Sequence, residues 1–98
     1  MITETKTHAE FSDYPLADLP PIPDGFADSS WHNDTCPSYI NEAIGVQVFI
    51  DYVDVSKREL PEGKRFTVSD ADTYETLLQT DDWNAVLHRI ADVEGETK

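Results

Sequence analysis

The 98-residue chain carries 20 Asp and Glu against 7 Lys and Arg, a formal charge of −13, which sets it against phosphate backbones and anionic lipid and speaks against direct nucleic-acid or membrane binding. An apolar share of 39% with 10% aromatics, its large side chains concentrated between Phe26 and Ile90, is enough for one thin core and no second lobe, so a wholly disordered chain is not expected. The single cysteine, Cys36, leaves no internal disulfide, and no apolar run reaches the length of a signal peptide or membrane span; a cytoplasmic protein is the expectation.

Residues 1–19 are polar, with Phe11, Tyr14, Leu16 and Leu19 in no helical or alternating period and Pro15 among them, and read as a flexible acidic arm. The run Leu19-Pro20-Pro21-Ile22-Pro23 favours polyproline II geometry, because each ring fixes φ and removes a donor. It is a stiff tether laying the arm against the domain, and its P-x-x-P match suits an aromatic groove. Asp24-Gly25 is turn chemistry. From Phe26 to Pro37 the chain is irregular, and Phe26 and Trp31 are the side chains expected to pin it over one side of the core as an ordered loop or short helix.

Ser38-Tyr39-Ile40 predicts a short strand, followed by a turn through Asn41-Glu42-Ala43. Val46 to Val53 is the clearest strand. Val46, Val48, Ile50 and Tyr52 alternate with Gln47, Phe49, Asp51 and Val53, so the first set faces a core while Phe49 and Val53 imply partial cover on the second face. Pro61-Glu62-Gly63 marks a turn, and Lys64 to Val68 a second strand that pairs antiparallel with the first across a long connection. After Val68 the period reads as helical. Ser69 or Asp70 caps a short helix with Tyr74, Leu77 and Leu78 at i, i+3 and i+4; Thr80 or Asp81 caps another with Trp83, Val86, Leu87 and Ile90 as its apolar stripe.

The expected architecture is therefore a single small α+β domain over 20–93, with two or three antiparallel strands and two short C-terminal helices packed on one face, and residues 94–98 as a frayed tail. Tyr52, Phe66 and Trp83 are the expected centre of the core.

The charge is uneven. Residues 1–56 hold ten acids and one Lys, 57–65 four bases and two acids, and 66–98 eight acids and two bases, so one basic island, Lys57, Arg58, Lys64 and Arg65, interrupts an otherwise negative chain. Asp81-Asp82 does not make a catalytic carboxylate pair, since a helix turns neighbours by about 100°; at a helix N-terminus both would oppose the macrodipole favourably. Asp70-Ala71-Asp72 opens like a calcium loop but places Tyr74 fifth, Glu75 sixth where glycine is required, and Asp81 twelfth. The glycines at 25, 45, 63 and 95 form no phosphate-cradling pattern. Neither H-E-x-x-H nor C-x-x-C occurs. No cofactor and no metal follow from these residues, and nothing in them recommends an enzyme.

The densest set of functional side chains is Trp31-His32-Asn33-Asp34-Thr35-Cys36. Trp31, His32, Asp34 and Cys36 are the candidate lining of a small-ligand or metal pocket, although a closed zinc site needs a fourth ligand that only His8 or His88 could supply. The plainer reading has Asn33 and Asp34 bonding to the loop backbone and Cys36 buried as a small apolar group.

The run from Pro23 to Val68, with Ser30-Trp31-His32-Asn33-Asp34, Cys36-Pro37-Ser38 and Ile50-Asp51-Tyr52, resembles small bacterial and phage proteins to which no activity is attached. At the level of composition the chain also resembles acidic phage inhibitors that imitate DNA, some anti-CRISPR proteins among them. That resemblance implies ordered carboxylates occupying phosphate positions on a basic partner, with counterion release driving association. Glu42, Asp51, Asp54, Asp70, Asp72, Glu75, Asp81 and Asp82 are the acids placed for such a surface. The expectation is a non-enzymatic interaction module, with inhibition one form of its action, that meets a basic protein, a nucleic-acid-binding one included, as a monomer or weak dimer. The alternative is a ligand or metal domain built on the Trp31 loop.

Overall fold

The structure is a computed structural model and describes residues 14–31, 36–58 and 63–96. Five strands form one antiparallel sheet in the order β1-β2-β3-β4-β5: β1 (Ala27–Asp28), β2 (Ser38–Asn41), β3 (Val46–Ile50), β4 (Phe66–Asp70) and β5 (Thr76–Thr80). A single helix, α1 (Trp83–Glu96), follows. Every strand pairs with its sequence neighbour. The domain is α+β, but the expected sheet of two or three strands with two helices is corrected to five strands and one helix.

The helix expected over Tyr74, Leu77 and Leu78 is instead β5. Its capping signal is real: Asp70 Oδ1 accepts the backbone N–H groups of Asp72 and Thr73 at 2.8 and 3.0 Å. One helix-like closure forms, with Tyr74 N–H donating to Asp70 O. Tyr74 then takes φ +62°, the left-handed region that ends helical winding, and Asp70 N–H donates to Glu75 O to reverse the chain into β5. The register shifts between Val68 and Ser69, so that Val68 faces Leu78 while Ser69 faces Thr76. This bulge leaves Leu77 as the extra residue, and both leucines pack against the core. Two consecutive inward leucines reproduce the i+3, i+4 spacing of a helix, while the cause is a strand irregularity.

The core lies on one face of the sheet. Val46, Val48, Ile50, Phe66 and Val68 are all 2% exposed or less, and each such side chain contributes about 1.5–3 kcal/mol by leaving water. Across β3 and β4 they meet as Ile50↔Phe66 and Val48↔Val68. α1 lays Val86, Ile90 and Val93 on this face, and Trp83 meets Phe66 in a tilted ring contact with centroids 5.0 Å apart. Asp82 caps the helix, accepting Asn84 N–H on its carboxylate while its carbonyl takes Ala85 and Val86 N–H. The cap expected at Thr80 or Asp81 thus falls one residue later. Residues 94–96 of the expected tail lie within α1 and not beyond it.

β3 stops at Ile50, short of the Val53 expected, because Asp51 turns the chain: its carboxylate takes the N–H of Tyr52. Tyr52 remains buried, while Val53 is exposed. Beside α1 the same face is covered by the segment leading into β1. Tyr14 is 3% exposed and packs its ring against Tyr52 in a tilted contact at 4.9 Å, and Leu19, Ile22 and Phe26 pack against the core. The packed unit therefore takes in Tyr14 and the 3-10 turn Leu16–Asp18, ahead of the boundary expected at residue 20. Residues 1–13 of the expected arm, His32 to Thr35, Pro61 and Glu62 of the expected turn, and 97–98 lie outside the described residues.

Candidate acidic interface

The up-and-down order of the strands separates the connections into two groups. The β2–β3 turn (residues 42–45) and the β4–β5 turn (71–75) emerge at one end, held together by Ala71 N–H donating to Gly45 O at 2.8 Å. The segments joining β3 to β4 and β5 to α1 emerge at the other end. The two ends carry different chemistry.

At the far end the two arginines of the basic island are engaged by the fold, while Lys57 and Lys64 remain exposed. Arg65 donates through Nε to Asp51 O (3.1 Å) and through Nη2 to Tyr14 Oη (3.0 Å) and to Asp18 O, and its guanidinium lies over the Phe66 ring at 4.8 Å. Arg58 reaches Tyr52 O at 2.6 Å, Gly63 O at 3.1 Å and Val53 O at 3.3 Å. Lys57 sits over the Tyr52 ring, and Lys64 pairs with Asp81 at 3.7 Å. Arginine suits this work because its rigid fork serves several carbonyls at once. The Tyr14 hydroxyl, which also donates to Asp51 O, is pushed above its ordinary pKa by burial, an effect that the hydrogen bond from Arg65 partly offsets.

The eight acids expected to share one surface divide between these ends. Asp51, Asp54, Asp81 and Asp82 fall at the clamped end among the bases. Asp81 is held below the usual carboxylate range chiefly by the Arg65 N–H that donates to it at 2.8 Å. Asp54 is lowered by the Ser56 hydroxyl and N–H. Both have work inside the fold. The eight acids therefore stand as two unlike groups at opposite ends of the sheet.

Glu42, Asp70, Asp72 and Glu75 gather instead at the paired-turn end. Asp70 is lowered first by Thr73 N–H and then by Asp72 N–H. Two acids that the sequence did not single out join them. Asp24 precedes β1 and Glu94 lies on the last turn of α1, and both line an open surface depression of about 580 Å³ together with Gly25, Asn41, Glu42 and Ile44. Their separation in the chain hides this meeting from any local pattern; Asp24-Gly25 was visible only as a turn. Of the described bases, Lys57, Arg58, Lys64 and Arg65 belong to the opposite end, and Arg89 lies midway along α1.

The alternative pocket is only partly placed. His32 and Asp34 lie outside the described residues. Trp31, expected to pin its loop on the core, is 49% exposed, while Cys36 is 4% exposed. What fastens β1 to the sheet is a polar group: Ser30 Oγ accepts Ser38 N–H at 3.2 Å, Ser29 and Ser38 hydroxyls meet at 2.9 Å, and Gln47 donates to both hydroxyls. Among the described residues no three His, Cys, Asp or Glu side chains come together as a metal site would require, and no helix is long and apolar enough to cross a membrane. No family model, curated protein or solved structure matches the chain.

Proposed function

We propose that this protein is a non-enzymatic interaction module that presents the paired-turn end of its sheet to a basic protein partner. The observation that carries the reading is the segregation of charge: Glu42, Asp70, Asp72 and Glu75, with Asp24 and Glu94, stand on turns and element ends, while Lys57, Arg58, Lys64 and Arg65 stand at the opposite end, the two arginines bound to backbone carbonyls. A negative field with one pole orients an approaching basic surface and speeds encounter in a way that a uniform halo does not. The supporting framework is rigid, since these turns are fixed by Asp70 and by the Ala71 to Gly45 hydrogen bond. Proteins that handle nucleic acid are the partner class whose surfaces are built to receive ordered negative charge, and competition with their nucleic acid would make the module an inhibitor.

The test is capture from a prokaryotic lysate at low salt by the immobilised protein, beside the variant Glu42→Gln, Asp72→Asn, Glu75→Gln, with bound proteins identified by mass spectrometry. Basic proteins should be retained by the parent, released as salt rises, and retained about tenfold less or weaker still by the variant. An identical bound set for both proteins, or no enrichment of basic ones, overturns the reading.

A further inference from the structure

The two edges of the sheet are unlike. β1 is two residues long, carries Asp28 and leads straight into the hydrogen-bonded group of Ser29, Ser30, Ser38 and Gln47, a short and charged edge that does not invite another strand. β5 closes the other side with Thr76–Thr80, which holds no charge and no proline although 28% of the chain is charged. The ladder fixes which of its backbone groups are spare. At the two ends of β4, Asp51 N–H donates to Arg65 O and Ala71 N–H to Gly45 O, so the odd-numbered positions between them turn to β3. Phe66 and Val68 therefore turn to β5, where they meet Thr80 and Leu78. By alternation the N–H and C=O of Gln79 point away from the sheet, and among the described residues no hydrogen bond reaches them. The bulge at Leu77 disturbs only the half of the strand nearer the turn.

We propose that the outer edge of β5 accepts an extended segment of the basic partner as a further strand of the sheet. The inference rests on the acidic-interface reading and names the backbone contact within it. Charge selects the occupant. Glu75 precedes the strand and Asp81 and Asp82 follow it, and the Asp81 side chain is 59% exposed beside Lys64. An incoming strand with an uncharged centre and a Lys or Arg at each end, about six residues apart, meets opposite charge at both ends. A second copy of the chain does not. A two-fold sheet pair runs antiparallel, and matching β5 end to end with itself would set Glu75 of each copy against Asp81 of the other. Glu75 also belongs to the paired-turn end, so the edge continues the acidic group, and Tyr74, 73% exposed at the head of the strand, offers a ring for an incoming side chain to pack on. Main-chain pairing then supplies affinity, while the flanking charges choose the partner.

The experiment titrates the ¹⁵N-labelled full chain at low salt with acetyl-Lys-Thr-Val-Thr-Val-Thr-Lys-amide, with the same peptide N-methylated throughout its uncharged centre, and with its Glu-ended counterpart. The first should shift the amides of Leu78, Gln79 and Asp81 saturably and slow hydrogen exchange at Gln79 at least about tenfold. The N-methylated peptide, equal in charge but without those donors, and the Glu-ended peptide should each bind at least about tenfold more weakly. Gln79→Pro deletes the outward donor and spares the bonds to β4; it should lower low-salt capture of basic proteins about tenfold. Equal binding of the plain and N-methylated peptides, or of the Lys-ended and Glu-ended ones, overturns the edge proposal and leaves the acidic-interface reading standing. Unchanged capture by a folded Gln79→Pro, or no shift with any peptide in a chain that still captures basic proteins, does the same. Shifts of the same amides with protein concentration alone assign the edge to a second copy and also overturn it. A parent chain that binds no peptide and captures no basic protein overturns both readings together. The peptides act on the parent chain, so the test stays decisive should the proline variant fail to fold.

Discussion

The two ends of the sheet hold comparable numbers of carboxylates and use them differently. Where β3 hands over to β4, the negative groups stand among Lys57, Arg58, Lys64 and Arg65, and the arginines are engaged with backbone carbonyls of Asp18, Asp51, Tyr52, Val53 and Gly63. Where the two tight turns meet, Asp70 makes side-chain hydrogen bonds only within its own turn, and the Ala71 to Gly45 backbone bond joins the two turns. The difference teaches that a net charge of −13 says little until the positive residues are located: their placement decides which carboxylates are structural and which remain available to another molecule.

Arg65→Ala strikes hardest at this contrast. It removes charge-assisted bonds to Asp51 O, Tyr14 Oη and Asp18 O and should cost roughly 2–4 kcal/mol in urea unfolding, with Arg65→Lys recovering only a minor part. Capture of basic partners by the folded fraction should be unaffected. A variant as stable as the parent would show that the clamp is decorative. Tyr14→Phe deletes the hydroxyl shared by Arg65 and Asp51 O while keeping the ring contact with Tyr52, and should cost about 1 kcal/mol in the same measurement.

At the paired-turn end the expected signs reverse. Tyr74→Gly relieves a bulky residue at φ +62° that is 73% exposed, and should stabilise by about 0.5–1 kcal/mol after the added freedom of the unfolded chain is counted. A loss of stability would mean that the tyrosine ring supports the turn. Glu42→Gln with Asp72→Asn and Glu75→Gln should raise the melting temperature slightly at low salt, the gain vanishing as salt screens the repulsion.

The pH response is the mildest effect and samples both ends. Asp54, Asp70 and Asp81 are held below their ordinary value of 3.8. Their contribution is therefore complete above that value and is lost as pH falls through the lower folded-state values. Tyr14 is raised above 10.0, so its contribution is full below that pH and disappears as alkali ionises the buried phenol. Thermal melts should show a shallow decline beginning under pH 4 and another above pH 10. Asp81→Asn should flatten the acid limb.

Much of the centre was legible beforehand. The alternation of Val46, Val48 and Ile50, the pairing with Phe66 and Val68, and Trp83, Val86 and Ile90 of the expected stripe depend on local periodicity, and each lies where that period puts it, while Leu87 of the same stripe is only half-buried. Two kinds of information were missing. Leu77-Leu78 carry the same spacing in a bulged strand as in a helix, so the period could not choose between them, and Asp70 makes the hydrogen bonds of a helix cap in a turn that never becomes one. The second kind is distance along the chain. Tyr14 finds Tyr52 and Arg65, and Asp24 finds Glu94, through the folded sheet alone. The eight acids could be named from the sequence, but their division could not, because it follows from which strand ends share an edge of the molecule.

The neighbour-to-neighbour strand order has a kinetic consequence. No crossover must be threaded and each hairpin closes on the previous one, so the entropy of loop closure is met in small instalments, the largest being the β3–β4 connection that Arg58 spans. Assembly should begin at the two tight hairpins, β2–β3 and β4–β5, which the β3–β4 pairing then joins, with the C-terminal helix docking onto a surface already formed, and a chain emerging from a ribosome could pair its first three strands before the last third is synthesised.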